Sequence, residues 1–253
     1  LNPDIQITDD FFGGHEAIID LNKCSQCGQC IDLCKFDAVS AETFEVDPIS
    51  CEGCGVCVDL CPESAIDFPQ TLCGQRFISD TRFGPMVHAK LGIAQENSGK
   101  LVSLVRQEAR MLSEKNSFEF ILTDGPPGIG CPVIASIGQA TCLLIVSEPT
   151  VSGLHDLERV AKLATHFQIP AMVCINKFDL NIEQTKNIVK FAKKNNLVVV
   201  GKIPFDSTFT KAMVQGQTIF EYDNHSQASI VMRLVWDSIL SQPVFKTPVT
   251  KIL

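Results

Sequence analysis

The first part of this chain is organised by two cysteine runs, Cys24-Ser-Gln-Cys27-Gly-Gln-Cys30-Ile-Asp-Leu-Cys34 and Cys51-Glu-Gly-Cys54-Gly-Val-Cys57-Val-Asp-Leu-Cys61-Pro62. In both runs the cysteines are separated by two, two and then three residues. The first three thiols of a run share one tight loop and can face a common centre, whereas the fourth lies about one helical turn further on. The two runs are therefore copies of one ligand-bearing unit.

This spacing is typical of the bacterial ferredoxins that carry two [4Fe–4S] clusters, in which the fourth cysteine of each run binds the cluster of the other run. We therefore predict two sets of four thiolate ligands, each with three cysteines from one run and the last cysteine from the other. The first set is Cys24, Cys27, Cys30 and Cys61, and the second is Cys51, Cys54, Cys57 and Cys34. The first run departs from the usual pattern only in that Lys35, rather than a proline, follows it.

Other uses of these cysteines fit the pattern less well. A structural zinc site takes pairs of ligands divided by a longer spacer, and a disulfide framework needs an oxidising compartment. Because no cationic, apolar leader opens the sequence, we expect metal binding in a reducing cytoplasm. Four of the twelve cysteines follow no ligand spacing, and we predict that they are small buried apolar residues: Cys73, Cys131, Cys142 and Cys174.

The net charge of −8 is unevenly distributed along the chain. Residues 1–18 carry −4 and residues 19–70 carry −8, whereas the remainder carries +4. An acidic surface of this kind can steer a basic redox partner, although simple solvation of a small domain explains it equally well. The acidity argues against nucleic acid as a ligand. No apolar run is long enough to cross a bilayer, so we predict no membrane span.

Beyond Pro69 the pattern changes to short buried apolar runs that alternate with longer helical patterns. Such alternation indicates βαβ units and a mostly parallel sheet flanked by helices. The fold class predicted for the chain is therefore α/β, with a small inserted α+β domain of ferredoxin type. The predicted strands are 118–122, 142–146, 171–175 and 197–200, and the predicted helices are 100–112, 154–167, 181–194 and 227–240.

Polar or Gly/Pro-rich segments follow the predicted strands, at the edge of the sheet where open α/β folds bind ligands. The first strand is followed by the turn Asp124-Gly125-Pro-Pro-Gly128, and an acid at this point can hold Mg²⁺ in a nucleotide-binding fold. The third strand is followed by Asn176, whose amide is suited to a purine edge. The fourth is followed by Pro204-Phe-Asp206.

These features resemble a known family, the deviant P-loop ATPases of the MinD/ParA type, and in particular its members with an inserted two-cluster ferredoxin domain. The segments that carry the resemblance are the cysteine runs, Gly84-Pro-Met-Val-His-Ala89, Glu96-Asn-Ser-Gly-Lys100, Asp124-Gly-Pro-Pro-Gly128, Ser147-Glu-Pro-Thr150, Ile175-Asn-Lys177 and Ile203-Pro-Phe-Asp206. The resemblance implies a P-loop NTPase-like fold with three parts: 1–18 as a remnant of the ATPase domain, 19–69 as the ferredoxin domain and 70–253 as the rest of the ATPase.

The resemblance also implies ATP with Mg²⁺ as a ligand of the full-length protein and a dimer with itself or with a related ATPase. Asp124, with Gly125 and Gly128 beside it, would belong to the Mg²⁺-linked switch. Asn176 and the segment from Pro204 to Asp206 would lie near the adenine. These roles come from the family and not from the spacing of residues in this chain.

The phosphate-binding loop of the family has no counterpart in this sequence. The family begins with a strand, a Gly-rich loop with a lysine, and a helix, whose backbone N–H groups hold the phosphates. We therefore expect that the chain lacks an N-terminal segment, and ATPase activity, although expected of the family, is left open here. Ser98-Gly99-Lys100 is a weaker candidate for a phosphate contact, since Asn97 or Ser98 as a helix N-cap explains it sufficiently.

Three functions agree with the sequence. The first is an ATP-dependent iron–sulfur protein in which nucleotide state controls electron transfer to a redox partner. The second is a carrier or assembly ATPase that passes clusters to an accepting protein. The third is a ferredoxin-type electron-transfer module whose ATPase half is vestigial.

Overall fold

A computed structural model gives the positions of residues 1–92, 99–245 and 251–252. Contacts between residues divide the chain into two units, Asn2–Leu101 and Val102–Leu253. The proposed helix N-cap at Asn97 or Ser98 lies outside the described residues.

The Asn2–Leu101 unit contains a three-stranded antiparallel sheet. Strand β1 (Asp4–His15) pairs with β4 (Gln70–Thr81), which in turn forms a hairpin with β5 (Gly84–Leu91). Residues 1–18 show no strong periodicity, and none of the three strands was predicted from the sequence. Ser79 is fully buried in β4, and its Oγ lies 2.9 Å from Nε2 of His88 on β5, so a polar pair occupies a position that an apolar side chain usually fills.

The cysteine runs lie between β1 and β4. Strand β2 (Ile18–Ile19) pairs antiparallel with β3 (Ile66–Asp67), and a bridge joins Val39 to Val46. Each run ends in a short helix, α1 (Gln29–Leu33) or α2 (Val56–Asp59), as predicted. Residues 70–81 therefore pair with the N-terminal strand, whereas the family resemblance groups residues 70–253 together. The predicted assignment of these parts to domains stays a prediction.

The Val102–Leu253 unit alternates strands and helices. Its elements after α3 (Gly99–Asn116) are β6 (Phe120–Ile121), α4 (Cys131–Ile137), β7 (Leu143–Ser147), α5 (Val151–His166), β8 (Ala171–Asn176), α6 (Ile182–Lys194), β9 (Val198–Ile203), α7 (Ser207–Val214), α8 (Ile219–Tyr222), α9 (Gln227–Leu240), a 3₁₀ turn (Pro243–Phe245) and β10 (Lys251–Ile252). The four predicted strands and four predicted helices are confirmed, with shifted ends. Within the described residues, no helix is both long and apolar enough to cross a membrane.

Three of these strands form a parallel sheet in the order β7-β8-β9, and β6 pairs in parallel with β10. The sheet is covered by helices on both faces, as predicted. Met172 and Cys174 of β8 face a core that includes Val235 of α9. The alternate residues Val173 and Ile175 face the opposite core, which is formed with α5 and α6.

Burial explains why these strands could be recognised from the sequence. Val173, Ile175 and Ile188 of α6 have no exposed surface, and burying a side chain of this size stabilises the fold by about 1.5–3 kcal/mol. The sheet and its covering helices bring the carboxyl ends of β7, β8 and β9 to one edge. The groups that follow these strands are therefore presented together.

Candidate functional site

The two cysteine loops have the same backbone geometry. Gly28 (φ 80°) and Gly55 (φ 75°) follow the second cysteine of their runs and precede α1 and α2. A positive φ is readily adopted by glycine, and here it turns the chain so that the third cysteine lies at the start of the helix. Asp37 and Ser64, three residues after the last cysteine of each run, also share a positive φ of 51° and 50°.

An aspartate fixes the entry to each loop. The Asp20 side chain accepts a hydrogen bond from Asn22 N (3.0 Å), and its carbonyl accepts one from Cys24 N (3.0 Å). Asp47 repeats this turn before the second run, with Ser50 Oγ donating to its carboxylate at 2.6 Å. These hydrogen bonds lower the pKa of both carboxyl groups. Both loops therefore begin at a preformed turn.

Backbone N–H groups are directed at the sulfurs. Ala38 N donates to Cys34 Sγ at 3.4 Å, and Ala65 N donates to Cys61 Sγ at 3.3 Å, at the equivalent position of the second run. Gln26 N donates to Cys24 Sγ at 3.3 Å. Hydrogen bonds to cluster sulfurs are one of the means by which proteins set a cluster's reduction potential.

Thiols from both runs line one cavity. Its volume is only about 20 Å³, and it is partly open to solvent. Phe44, Ile19 and Ile66 contribute apolar walls. The four thiols that line it are those of Cys24, Cys27, Cys30 and Cys61, which is the first predicted ligand set.

Three thiols of the second set lie near one another. Burial raises the pKa of the Cys57 thiol, and the neighbouring thiols of Cys51 and Cys54 raise it further. The Cys30 thiol of the first set adds to this effect, so the two sets of thiols lie near one another. The place of Cys34 in this set stays a prediction.

The donor groups fit iron–sulfur clusters. Burial, and after it the nearby Cys24 thiol, raises the pKa of Cys30, so this thiol resists losing its proton in the absence of metal. A bound cation reverses this preference because it stabilises thiolates directly. Among the described residues, no three His, Cys, Asp or Glu side chains converge on a point that would suit a single metal ion. The repeated spacing of the cysteines, and not the size of the cavity, favours four-iron clusters over a mononuclear zinc site.

Gly53 is required by a close approach of the backbone. A Cβ atom at Gly53 would lie 2.3 Å from the carbonyl oxygen of His15. The equivalent residue of the first run, Gln26, has the same positive φ (56° against 60°) but carries a side chain. Lack of space, and not the backbone conformation alone, therefore restricts this position to glycine.

We expect Gly53→Ala to destabilise the cluster-loaded protein by about 2 kcal/mol or more, since backbone atoms would have to move. Gly28→Ala is the matched control, because its Cβ would meet nothing within 4 Å, and its positive φ alone costs about 1 kcal/mol. Urea unfolding and iron content of both variants check this. Equal losses in the two variants would contradict the role given to the His15 carbonyl.

A larger cavity lies at the carboxyl edge of the parallel sheet. Its volume is about 670 Å³, within the range of small-molecule sites, about 300–1,000 Å³. Asp124, Gly125 and Gly128 line one side, and the other side is lined by β7 together with the loop and the first turns of α5 that follow it. The polar side chains on this second side are Ser147, Glu148, Thr150, Ser152 and Asp156.

The loop after β7 is held in one conformation by its own hydrogen bonds. Ser147 is buried and its Oγ donates to the carbonyl of Gly153 at 3.0 Å. Thr150 Oγ1 accepts from Gly153 N at 2.8 Å and caps α5. A Cβ at Gly153 would lie 2.3 Å from the Glu148 carbonyl oxygen, so the loop closes tightly on itself.

An ion pair joins the ends of two strands at this edge. Lys177 Nζ, just after β8, lies 2.7 Å from Glu148 Oε1, just after β7. Neither residue was assigned a role from the sequence. Their pairing could have been expected because each charged residue directly follows one of two neighbouring strands, and parallel pairing brings the ends of those strands together.

The remaining predicted residues do not line this cavity. Asn176 is the last residue of β8, and Pro204 follows β9. Asp206 caps α7, with its Oδ1 accepting from Thr208 N at 2.8 Å, and this bond lowers its pKa. Asp179 Oδ1 accepts from Phe205 N at 2.7 Å and joins the loops after β8 and β9. A role in adenine binding stays a prediction for Asn176, Pro204 and Asp206.

Three of the four cysteines outside the two runs are buried core residues, and the fourth is exposed. Cys73, Cys142 and Cys174 are buried as predicted, and burial raises the pKa of Cys142 and Cys174 to about 11. Cys131 is exposed at the start of α4, so its prediction as a buried residue is wrong. The physical reason is that α4 buries Val133, Ser136 and Ile137, whereas Cys131 lies on its exposed face with Ile134.

Comparison with known proteins agrees with both halves of this description. The family of 4Fe–4S binding domains matches residues 17–40 and 44–67. An uncharacterized protein of Methanocaldococcus jannaschii is 32% identical over 168 residues, which cover 66% of this chain and 58% of that protein. The septum site-determining protein MinD of Bacillus subtilis is 24% identical over 176 residues, 67% of this chain and 65% of its own length.

Among solved structures, the MinD cell division protein of Aquifex aeolicus is similar with a TM-score of 0.51 and 18% identity, over 66% of this chain and 69% of that one. At this identity the likeness shows the fold. The chain spans 58% and 65% of the two curated relatives described above. It thus contains a 4Fe–4S binding domain and has homologues and structural neighbours among MinD/ParA-type ATPases.

Proposed function

We propose that this chain, in which a 4Fe–4S binding domain is joined to a segment homologous to MinD-type ATPases, couples nucleotide binding to electron transfer. Two [4Fe–4S] clusters would be held by the eight cysteines of the two runs. ATP with Mg²⁺ would bind at the carboxyl edge of the parallel sheet. The observation that carries the proposal is the convergence of Cys24, Cys27, Cys30 and Cys61 on one cavity.

Each cluster supplies a one-electron redox centre when it is bound, and the chain's own groups would adjust it. Four thiolates satisfy the iron, and the N–H groups of Ala65 and Gln26 donate to two of the sulfurs. Such donors favour the more negative, reduced state because they stabilise charge on sulfur. The acidic surface of residues 19–70 supports a partner protein with a basic docking face.

In the nucleotide-binding half, Asp124 is the proposed Mg²⁺ ligand. Carboxylates at the end of a buried strand hold the metal in nucleotide-binding folds. Hydroxyl groups of Ser147 and Thr150 are already committed to the loop after β7. The Glu148–Lys177 ion pair places a cation beside the cavity wall, where it would favour the phosphates of a nucleotide.

We expect Asp124→Asn to weaken Mg²⁺-dependent nucleotide binding by about tenfold, because the substitution removes a charged metal ligand. Titration of a fluorescent ATP analogue into the anaerobically reconstituted protein, with and without Mg²⁺, measures this. Asp237→Asn removes one exposed carboxylate from α9 and serves as the control. If the two variants bind alike, Asp124 is not the Mg²⁺ ligand.

EPR spectra of the same samples, together with an assay of cluster transfer, distinguish the three functions. A nucleotide-dependent change in the reduced-cluster signal supports coupling of the two halves. Transfer of iron and sulfide to an apo-protein acceptor would favour the carrier function instead, although four thiolates per cluster favour retention. Unchanged spectra with no nucleotide bound would reduce the protein to an electron-transfer module.

A further inference from the structure

A second cavity lies in the Val102–Leu253 unit between α3, α4 and the β6–β10 strand pair. Its volume is about 410 Å³, enough for a small organic ligand. Its walls combine a few apolar residues with six polar side chains. The six are Ser103, Arg106, Gln107, Arg110, Thr123 and Gln139.

The polar lining is positively charged. Two of the side chains are guanidinium groups, and none of the described residues that line the cavity is an aspartate or glutamate. Arg110 pairs with Glu114 across one helical turn at 2.9 Å, but both side chains are largely exposed, and such surface pairs are weak. A stronger anion can therefore displace Glu114 at little cost.

Arg106 lacks an anionic partner among the described residues. Its Nη1 donates to the carbonyl oxygens of Ala135 (2.7 Å) and Gly138, at the C-terminal end of α4. Its Nε is buried and has no hydrogen-bond partner. Helix carbonyls offer only about half a negative charge, so the guanidinium charge is incompletely balanced. Burial accordingly lowers the pKa of Arg106.

Arg106 is a half-buried cation with one buried, unused donor, and such a group is costly unless a ligand or partner completes it. The planar fork of arginine matches the oxygens of carboxylate and phosphate groups. Ser103 lies one turn before Arg106 and Arg110 one turn after it, and Gln107 lies one turn from both Ser103 and Arg110, since helical residues three and four apart are neighbours. They add donors beside the two charges.

We propose that this cavity binds a small anion with at least two negative charges, carried by phosphate or carboxylate groups. The site is separate from the proposed Mg²⁺ ligand, because Asp124 lines the cavity beside β7 and not this one. Of the described residues, only Thr123 and Ile252 line both cavities. Because Arg106 fixes the end of α4, which follows the Asp124–Gly128 turn, occupancy of the site would stiffen that part of the unit.

The test uses calorimetric titration of the cluster-loaded protein with inorganic phosphate, pyrophosphate and citrate, at constant ionic strength maintained with sodium chloride. We expect saturable binding of at least one of the three, and the comparison of citrate with the phosphates identifies the preferred group. Arg106→Gln should weaken binding by about tenfold or more, since the substitution removes a charged hydrogen-bond donor. Arg110→Gln should weaken it severalfold without affecting the fold.

Lys115→Gln is the matched control, because it removes one positive charge from the same helix outside the cavity. Asp124→Asn should leave anion binding unchanged, which separates this site from the nucleotide site whether or not the latter exists. The proposal is overturned if no anion binds the unaltered protein, or if Lys115→Gln weakens binding as much as Arg110→Gln does.

Discussion

Replacing Cys24 and Cys61 together is expected to remove no more iron than replacing either one alone. If the last cysteine of each run binds the opposite cluster, Cys24 and Cys61 serve the same cluster, and serine at either position removes it. Iron should fall from about eight to about four atoms per chain in both single variants and in the double variant. The reason is that the loss of one thiolate leaves an incompletely ligated cluster.

The double variant Cys24→Ser/Cys34→Ser should lose both clusters and retain almost no iron, although its two substitutions lie in one run. This is the opposite of what separate, run-by-run ligation predicts. Cys131→Ser is the control, because this cysteine is exposed and lies in neither run. Iron and acid-labile sulfide assays after anaerobic reconstitution measure all of these variants. Reversal of the two double-variant results would show that each run binds its own cluster.

The second large effect is expected at the contact between β9 and α9. A Cβ at Gly201 would lie 2.4 Å from Val235 Cγ2, and Val235 is itself buried in the core beneath the sheet. Gly201→Ala should destabilise the unit by about 2–3 kcal/mol, because the strand or the helix must shift to make room. Trp236, the one tryptophan of the chain, packs against the same core and reports its unfolding by fluorescence.

The double variant Gly201→Ala/Val235→Ala provides the sharper test. Removing the Val235 methyl groups opens the space that the new Cβ needs, so the double variant should be more stable than the sum of the single losses by at least about 1 kcal/mol. Val235→Ala alone measures the cost of the cavity. Simple addition of the two losses in urea unfolding would show that the contact is not responsible.

Local spacing was sufficient for the features that depend on neighbouring residues. The loops of the two runs, their short helices and the alternation of strands with helices after residue 117 follow from turn chemistry and periodic burial. Val173 and Ile175 illustrate this, since a continuous apolar run is what a strand covered on both faces requires. The antiparallel strands of the Asn2–Leu101 unit escaped prediction because their stability comes from distant pairing and polar contacts such as Ser79 with His88.

The sequence by itself determined that this chain carries two copies of a cysteine unit and a parallel α/β sheet. Only the tertiary structure decided which groups meet. It brought Cys61 to the thiols of the first run, paired Lys177 with Glu148 and engaged Asp206 as the cap of α7. The physical reason is that spacing along the chain fixes the direction of a side chain within its own loop or turn. Distances between separate loops are set by the packing of the elements that carry them.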